Sequence, residues 1–303
     1  MEDVLPGLKV QMSLNKVIFD CESDYQKVSV IDTIFGRTLV TDGKTQSAEK
    51  DEKNYHESLV VPAMLKHGNP KRVFIGGGGE LATARECLRF DSVEEVVMVD
   101  IDEVVVNICK AHLPGWGDGC ESDPRLRLII GDANAEFRNM EGGFDVVVMD
   151  ISDPIEAGPG IALYTKEFYE FVHSKLNPGG IFVTQSGSAD VHHHDDCFTA
   201  IFNTLDSVFD CTVPYSTPIP SFGGAWGFNM AFSLKDGESK DDAIKEWKRC
   251  TNIDKRISNM TSHDYHFYDG DSHLLMFHLP KNVRAALRKD NRVITEANPV
   301  FMY

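Results

Sequence analysis

KRVFIGGGGELATARECLRFDSVEEVVMVDIDEVVVNICKAHL, residues 71–113, decides the fold. A short apolar run rich in β-branched residues enters four glycines and leaves as a helical pattern. A second apolar run then ends on Asp100, and another helical pattern follows. Strands that are continuously apolar are covered on both faces, and their alternation with helices marks a parallel sheet. Outward from this unit the same grammar repeats. LRLIIGDA (126–133), FDVVVMDIS (144–152) and GIFVTQSG (180–187) read as further buried strands, with TKEFYEFVHSKL (165–176) as a helix between the last two. SFGGAWGFNMAFSLKD (221–236) reads as a late antiparallel hairpin, and the tail containing FHLPKNVRAALRKDN (277–291) packs on the main domain. Upstream, LNKVIFDCES, QKVSVIDTIF and GRTLVTDG predict a small antiparallel sheet, and DEKNYHESLVVPAMLKHG predicts a helix that stops at Asn69-Pro70. The expected fold is α/β. A doubly wound, mostly parallel, Rossmann-like sheet of the AdoMet-methyltransferase kind spans 51–303, and an N-terminal β-sheet domain spans 1–50.

In such a sheet ligands bind beyond the carboxyl ends of the strands. At that edge the sequence places Gly76–Gly79 and Glu80, then Asp100 and Asp102, Asp132 and Ala133, and Asp150 and Asp153. The glycines, Gly77 and Gly78 among them, let backbone approach a ligand closely. Glu80 stands where a phosphate-binding loop would need amides and a lysine, so a P-loop is excluded, and GxGxxG is absent. What remains is a nucleoside without phosphates. Asp100 is placed to accept from two ribose hydroxyls, and Asp132 with the amide of Ala133 suits the adenine edge. Glu80 suits an amine, and a purely cationic decarboxylated sulfonium fits this acidic rim better than one carrying a carboxylate. Aspartates after strands also cap helices, and that alternative stands beside the ligand reading. Asp150, for its part, is open to binding a cation, holding a metal, taking a proton or capping.

The formal charge of −17 argues against a nucleic-acid surface and is compatible with a cationic small molecule, although acidity serves solubility as well. No apolar run approaches the roughly 20 residues of a membrane span, and the N-terminus shows no secretory pattern. Seven scattered cysteines without CxxC spacing read as free thiols, so a cytoplasmic location is expected. His192-His193-His194 invites a metal reading, but consecutive histidines diverge, so they are assigned to a solvated helix start and no metal site is expected.

Taken together, Tyr55-His56-Glu57, the glycine run with Glu80, VMVDID, GDA, and DxSDP followed by LYTKEFY resemble the polyamine aminopropyltransferases, in order from about residue 12 to the tail. Three features resemble the thermospermine branch: Glu80 in place of Asp, the longer link in DPIEAGPGIALYTKEFY, and Phe222 in PSFGGAWGF where spermidine synthases carry a substrate-binding Tyr. Leu81 departs from the glycine that follows the acid in the family.

The resemblance implies transfer of a 3-aminopropyl group from decarboxylated S-adenosylmethionine to spermidine, giving thermospermine and methylthioadenosine, with no further cofactor. Spermidine or spermine synthesis are the alternatives, and a methyltransferase or a noncatalytic polyamine-binding protein stand further off. By position, Asp150 is implied as the proton acceptor and Asp153 as the acceptor's anchor. Tyr55 offers a hydroxyl and an aromatic wall, while Gln46 and His56 contact the donor. Phe222 and Trp226 are either core or lining of the acceptor tunnel. The family's habit of pairing through the N-terminal sheet implies a homo-oligomer, dimer or tetramer.

Overall fold

The computed structural model describes residues 2–5, 8–154 and 160–302. The link expected to be lengthened, 155–159, lies outside the described residues. A two-stranded ribbon, β1 (Glu2–Leu5) with β2 (Leu8–Val10), precedes an antiparallel sheet of β3 (Lys16–Glu22), β4 (Lys27–Thr33), β5 (Gly36–Thr41) and β6 (Lys44–Ala48). Helix α1 (Glu52–His67) follows. It ends on Gly68 in the left-handed conformation, with the glycine amide closing on the Met64 carbonyl, and Asn69-Pro70 lies beyond.

The main sheet alternates with helices: β7 (Arg72–Gly77), α2 (Ala82–Leu88), β8 (Glu95–Asp100), α3 (Glu103–His112), the short α4 (Pro114–Gly117), β9 (Leu126–Ile130), α5 (Ala133–Asn139), β10 (Phe144–Asp150), α6 (Lys166–Lys175), β11 (Leu176–Ser188), α7 (Phe198–Asp206), β12 (Cys211–Ile219) and β13 (Gly224–Phe232). The tail adds α8 (Lys240–Lys248), α9 (Ile253–Met260), α10 (Gly270–Phe277) and α11 (Lys281–Lys289). Strand order is β12-β13-β11-β10-β7-β8-β9. The pairs from β9 to β11 are parallel, and β13 is antiparallel to both its neighbours, so the doubly wound sheet carries the expected hairpin.

The side-chain period of two divides this sheet into two cores. Val73, Ile75, Val96, Met98, Val146 and Val148 face α1, the α8–α10 tail and Tyr215. Phe74, Val97, Val99, Val147 and Met149 face α5, α6 and α7. A third cluster joins Val28, Val30 and Leu39 of the N-terminal sheet to Val105, Ile108 and Trp116, so that sheet seats on α3 and α4. Two polar ties reinforce the seat: Trp116 Nε1 donates to Ser47 Oγ at 2.7 Å, and Asp102 accepts from Ser23 Oγ at 2.7 Å and Gln26 Nε2 at 3.0 Å.

Two expectations need correction. β9 is not a buried strand: it lies at the edge of the seven-stranded sheet, and Ile130 is for that reason 43% exposed. The three histidines are not on a helix. They occupy the turns before α7, where His194 Nδ1 meets the Asp190 carbonyl and His193 Nδ1 meets Asp196 at 3.2 Å. All seven cysteines are free, and no helix among the described residues is long and apolar enough to cross a membrane.

Candidate active site

Because the parallel strands end at one edge, their tips line up about 4.8 Å apart in strand order. Going from β9 through β8, β7 and β10 to β11, the edge presents Asp132, Asp100, the glycine turn with Glu80, Asp150, and then Gln185. A cavity of about 300 Å³ follows this row, roofed by Tyr25, Gln26 and Gln46 of the N-terminal sheet. That size suits a small-molecule pair.

The glycine turn has the shape its composition demands. Gly77 and Gly78 have φ of +82° and +78°, and a Cβ on Gly77 would strike the Asp150 carbonyl. Leu81, at φ +75°, holds the left-handed conformation that a glycine would hold there, so the departure in residue type leaves the backbone course glycine-like. A Cβ on Gly79 would sit 2.9 Å from Asp100 Oδ2, which leaves this stretch of backbone hard against the carboxylate.

Asp100 accepts from the Asp102 amide at 2.9 Å, and burial together with Glu80 and Asp102 nearby pushes its pKa up to about 6. Asp132 both caps and lines. Its Oδ1 accepts from the Asn134 amide at 2.8 Å and the Ala135 amide at 3.3 Å, and the residue borders the cavity beside Ala133. Capping and cavity lining therefore coexist at this position. Asp102, in contrast, is spent on capping α3 and tying the N-terminal sheet.

Asp150 stands at the centre. Its Oδ1 accepts from the Tyr55 hydroxyl at 2.7 Å and its Oδ2 from Thr83 Oγ1. Burial and the neighbouring Glu80 carboxylate raise its pKa, with His56, Thr83 and Tyr55 pulling the other way. Such a carboxylate is better suited to take a proton than an ordinary aspartate. Tyr55 is nearly buried, packed edge-on against Phe222 at 5.6 Å, and Phe222 packs against Trp226 at 4.8 Å. Both Phe222 and Trp226 touch the core and line the cavity, so the two readings of them are not exclusive.

His56 is placed differently from the expectation of direct donor contact. It is fully buried and absent from the cavity wall. Nδ1 lies 3.0 Å from Glu52 Oε2 and Nε2 lies 3.1 Å from Glu80 Oε1. Burial opposes a charge on the ring, but the two carboxylates outweigh it and raise its pKa to about 10. His56 thus holds Glu80 from behind as an imidazolium. One ligand-capable atom each from His56, Glu80 and Asp150 lies within 4.8 Å of the others, the one such trio among the described residues. With both His56 nitrogens engaged, only carboxylate is left to face a cation, which suits an ammonium better than a transition metal.

Beyond Asp150, Gln185 organises the far end. Its Nε2 donates to Asp153 Oδ1 at 3.0 Å and the Ile151 carbonyl at 2.8 Å, and its Oε1 accepts from Trp226 Nε1 at 3.1 Å. Burial pushes the Asp153 carboxyl up to about 6, against the Gln185 hydrogen bond and the charge of Lys44. Thr83, Gln185 and Met302 belong to this site and were not singled out in the sequence. GIFVTQSG signals a strand tip at Gln185, but threonine on α2 and methionine in the tail carry no signature of their own.

Residues 52–241 match the spermine/spermidine synthase domain, and residues 1–49 match the spermidine synthase tetramerisation domain. The chain is 40% identical over its whole length to a thermospermine synthase of Arabidopsis thaliana, covering 86% of that protein. It is 41% identical to a polyamine aminopropyltransferase of Aeropyrum pernix, covering all of this chain and 94% of that one. Among solved structures it is similar to a spermidine synthase in complex with the transition-state analogue AdoDATO, with a TM-score of 0.82 and 29% identity over 92% of this chain and 90% of that one.

Proposed function

The chain belongs to the spermine/spermidine synthase family and is an aminopropyltransferase of polyamine biosynthesis, and from that premise we propose that its acceptor is spermidine and its product thermospermine. The co-substrate is decarboxylated S-adenosylmethionine. The observation that carries the reading is the row of acids along one cavity, with an apolar wall of Phe222 and Trp226 past Asp150.

In this reading the donor lies from β9 to β7, with adenine at Asp132 and Ala133, ribose on Asp100 and Gln46 above. Its terminal ammonium meets Glu80, which His56 steadies. The acceptor lies from β10 to β11, one nitrogen at Asp150 and another at Asp153, its methylenes along Tyr55, Phe222 and Trp226. An aliphatic ammonium with pKa near about 10 is not a nucleophile until it loses its proton. Asp150 takes that proton, the freed nitrogen lone pair bonds to the carbon beside sulfur, and the C–S bonding pair leaves with methylthioadenosine. Holding nitrogen, carbon and sulfur in line supplies much of the acceleration. Residues 1–50 serve as the assembly module of a homo-oligomer and 51–303 as the catalytic unit.

Incubation with decarboxylated donor and spermidine should give thermospermine, identified by chromatography against authentic spermine, since the two are isomers. Spermine as product, or turnover with putrescine alone, would reject the assignment. Acceptor binding should also respond to pH. Asp153 has its pKa pushed up to about 6, so its charge is present above that pH and lost below it. The acceptor KM should therefore rise about tenfold per pH unit on the acid side, and Asp153→Asn should flatten that rise. A wild-type acceptor KM that stays level from pH about 7.5 to about 5 would remove Asp153 as the anchor.

A further inference from the structure

The end of the chain returns to the cavity. Ile294 is fully buried, its amide donating to Thr204 Oγ1 at 2.9 Å and its carbonyl accepting from the Lys166 amide at 2.8 Å. Thr295 and Asn298 then pair across a tight turn. Met302 arrives with its amide donating to the Pro154 carbonyl at 2.8 Å, and its side chain, 7% exposed, lines the cavity with Asp153, Leu163, Gln185 and Trp226. A methyl built on Gly187 would lie 3.6 Å from both Asp153 Oδ1 and Met302 Sδ. The carboxylate and the thioether therefore flank one point beside Gly187, and both residues line the cavity.

We propose that Met302 is a specificity-determining residue that sets how long an acceptor the cavity takes. A polyamine alternates ammonium groups with runs of methylenes. A carboxylate fixes where a nitrogen sits, and an apolar stop next to it decides whether the chain continues. Methionine, unbranched and polarizable, makes a close-fitting stop against methylenes. Its amide also clamps Pro154, the residue after Asp153, so the stop and the anchor are held by the same tail. The inference rests on the placement of the acceptor beside Asp153 proposed above.

The test compares Met302→Ala, Met302→Leu and a chain ending at Pro299 with wild type, using two triamines of different length as acceptors. Met302→Ala and the shortened chain should change the ratio of kcat/KM between the two acceptors by about tenfold or more, while the donor KM stays within about twofold. Met302→Leu should retain the wild-type ratio. Ile294 and its hydrogen bonds remain in all three, and thermal unfolding verifies that each is folded. An unchanged ratio in both Met302→Ala and the shortened chain overturns the inference, as does a donor KM that moves as much as the acceptor KM. Asp153→Asn is run alongside. If it raises the acceptor KM while the Met302 variants do nothing, the tail inference alone falls; if it moves only the donor KM, the acceptor placement falls and takes the inference with it.

Discussion

Asp150→Asn should lower kcat by about 10²–10⁴-fold, the range that positioned general bases contribute. The amide keeps the size of the carboxyl but has no basic lone pair for the ammonium proton. The expected loss is in the chemical step alone. Donor contacts assigned to Asp100, Asp132 and Glu80 are untouched, so methylthioadenosine should bind within a few-fold of wild type in calorimetry. The two hydrogen bonds that Asp150 accepts make the result more informative. Tyr55 and Thr83 both donate to it, which lowers its basicity, while burial and Glu80 raise it. A variant that turned over at the wild-type rate would show that the proton leaves by another route.

A second large effect is expected at a residue outside the cavity lining. Arg85 is 4% exposed and lies between Glu52 and Glu86, at 2.9 Å and 2.8 Å, with two more hydrogen bonds to the carbonyls of Gly115 and Trp116. The line of alternating charge continues through Glu52 to His56 and on to Glu80. Burial would push Glu52 up, yet His56 and Arg85 together bring it to about 2. Arg85→Met takes one of two cations from each of two buried carboxylates, leaving Glu52 with His56 and Glu86 with Arg89 at 2.6 Å. The loss should therefore fall near the lower end of the about 3–5 kcal/mol that breaking a buried pair costs. For a chain of this size that is a fall in Tm of about 5 °C, measurable by circular dichroism. Pairing it with Glu52→Gln should give a non-additive total, because the two residues share one interaction. An unaltered Tm would mean that the charges are solvated rather than paired. Because His56 has its pKa raised to about 10 from 6.5, its share of stability is complete below about pH 6.5 and fades as pH rises through 10.

Much of this site could be read from strand tips. A parallel strand buried on both faces advertises itself as an apolar run, and the residue after it must fall at the ligand edge. Asp100, Asp132 and Asp150 were legible for that reason, and the glycine turn because few other residues fit its dihedrals. What sequence did not show are residues that reach Asp150 or the cavity by tertiary routes. Thr83 meets Asp150 across 67 positions, and Met302 arrives from the far end of the chain. The position of His56 depended on which face of α1 it occupies, and α1 is buried nearly all round, so no hydrophobic stripe marked a face. β9 looked like an interior strand because its composition is apolar, whereas its place at the edge is a property of strand order.

The leucine in the glycine turn reaches further than its own dihedrals. A methyl built on Gly117, at the end of α4, would already touch Leu81 Cβ and Cδ1 at 3.4 Å. The two sites share one pocket of volume: where one carries a long side chain, the other has room for a methyl in contact and little beyond. A relative that restores glycine at the first position frees the second to grow. These positions are therefore expected to drift as a linked pair over evolutionary time, exchanging bulk across the join between the glycine loop and the helix beneath the N-terminal sheet.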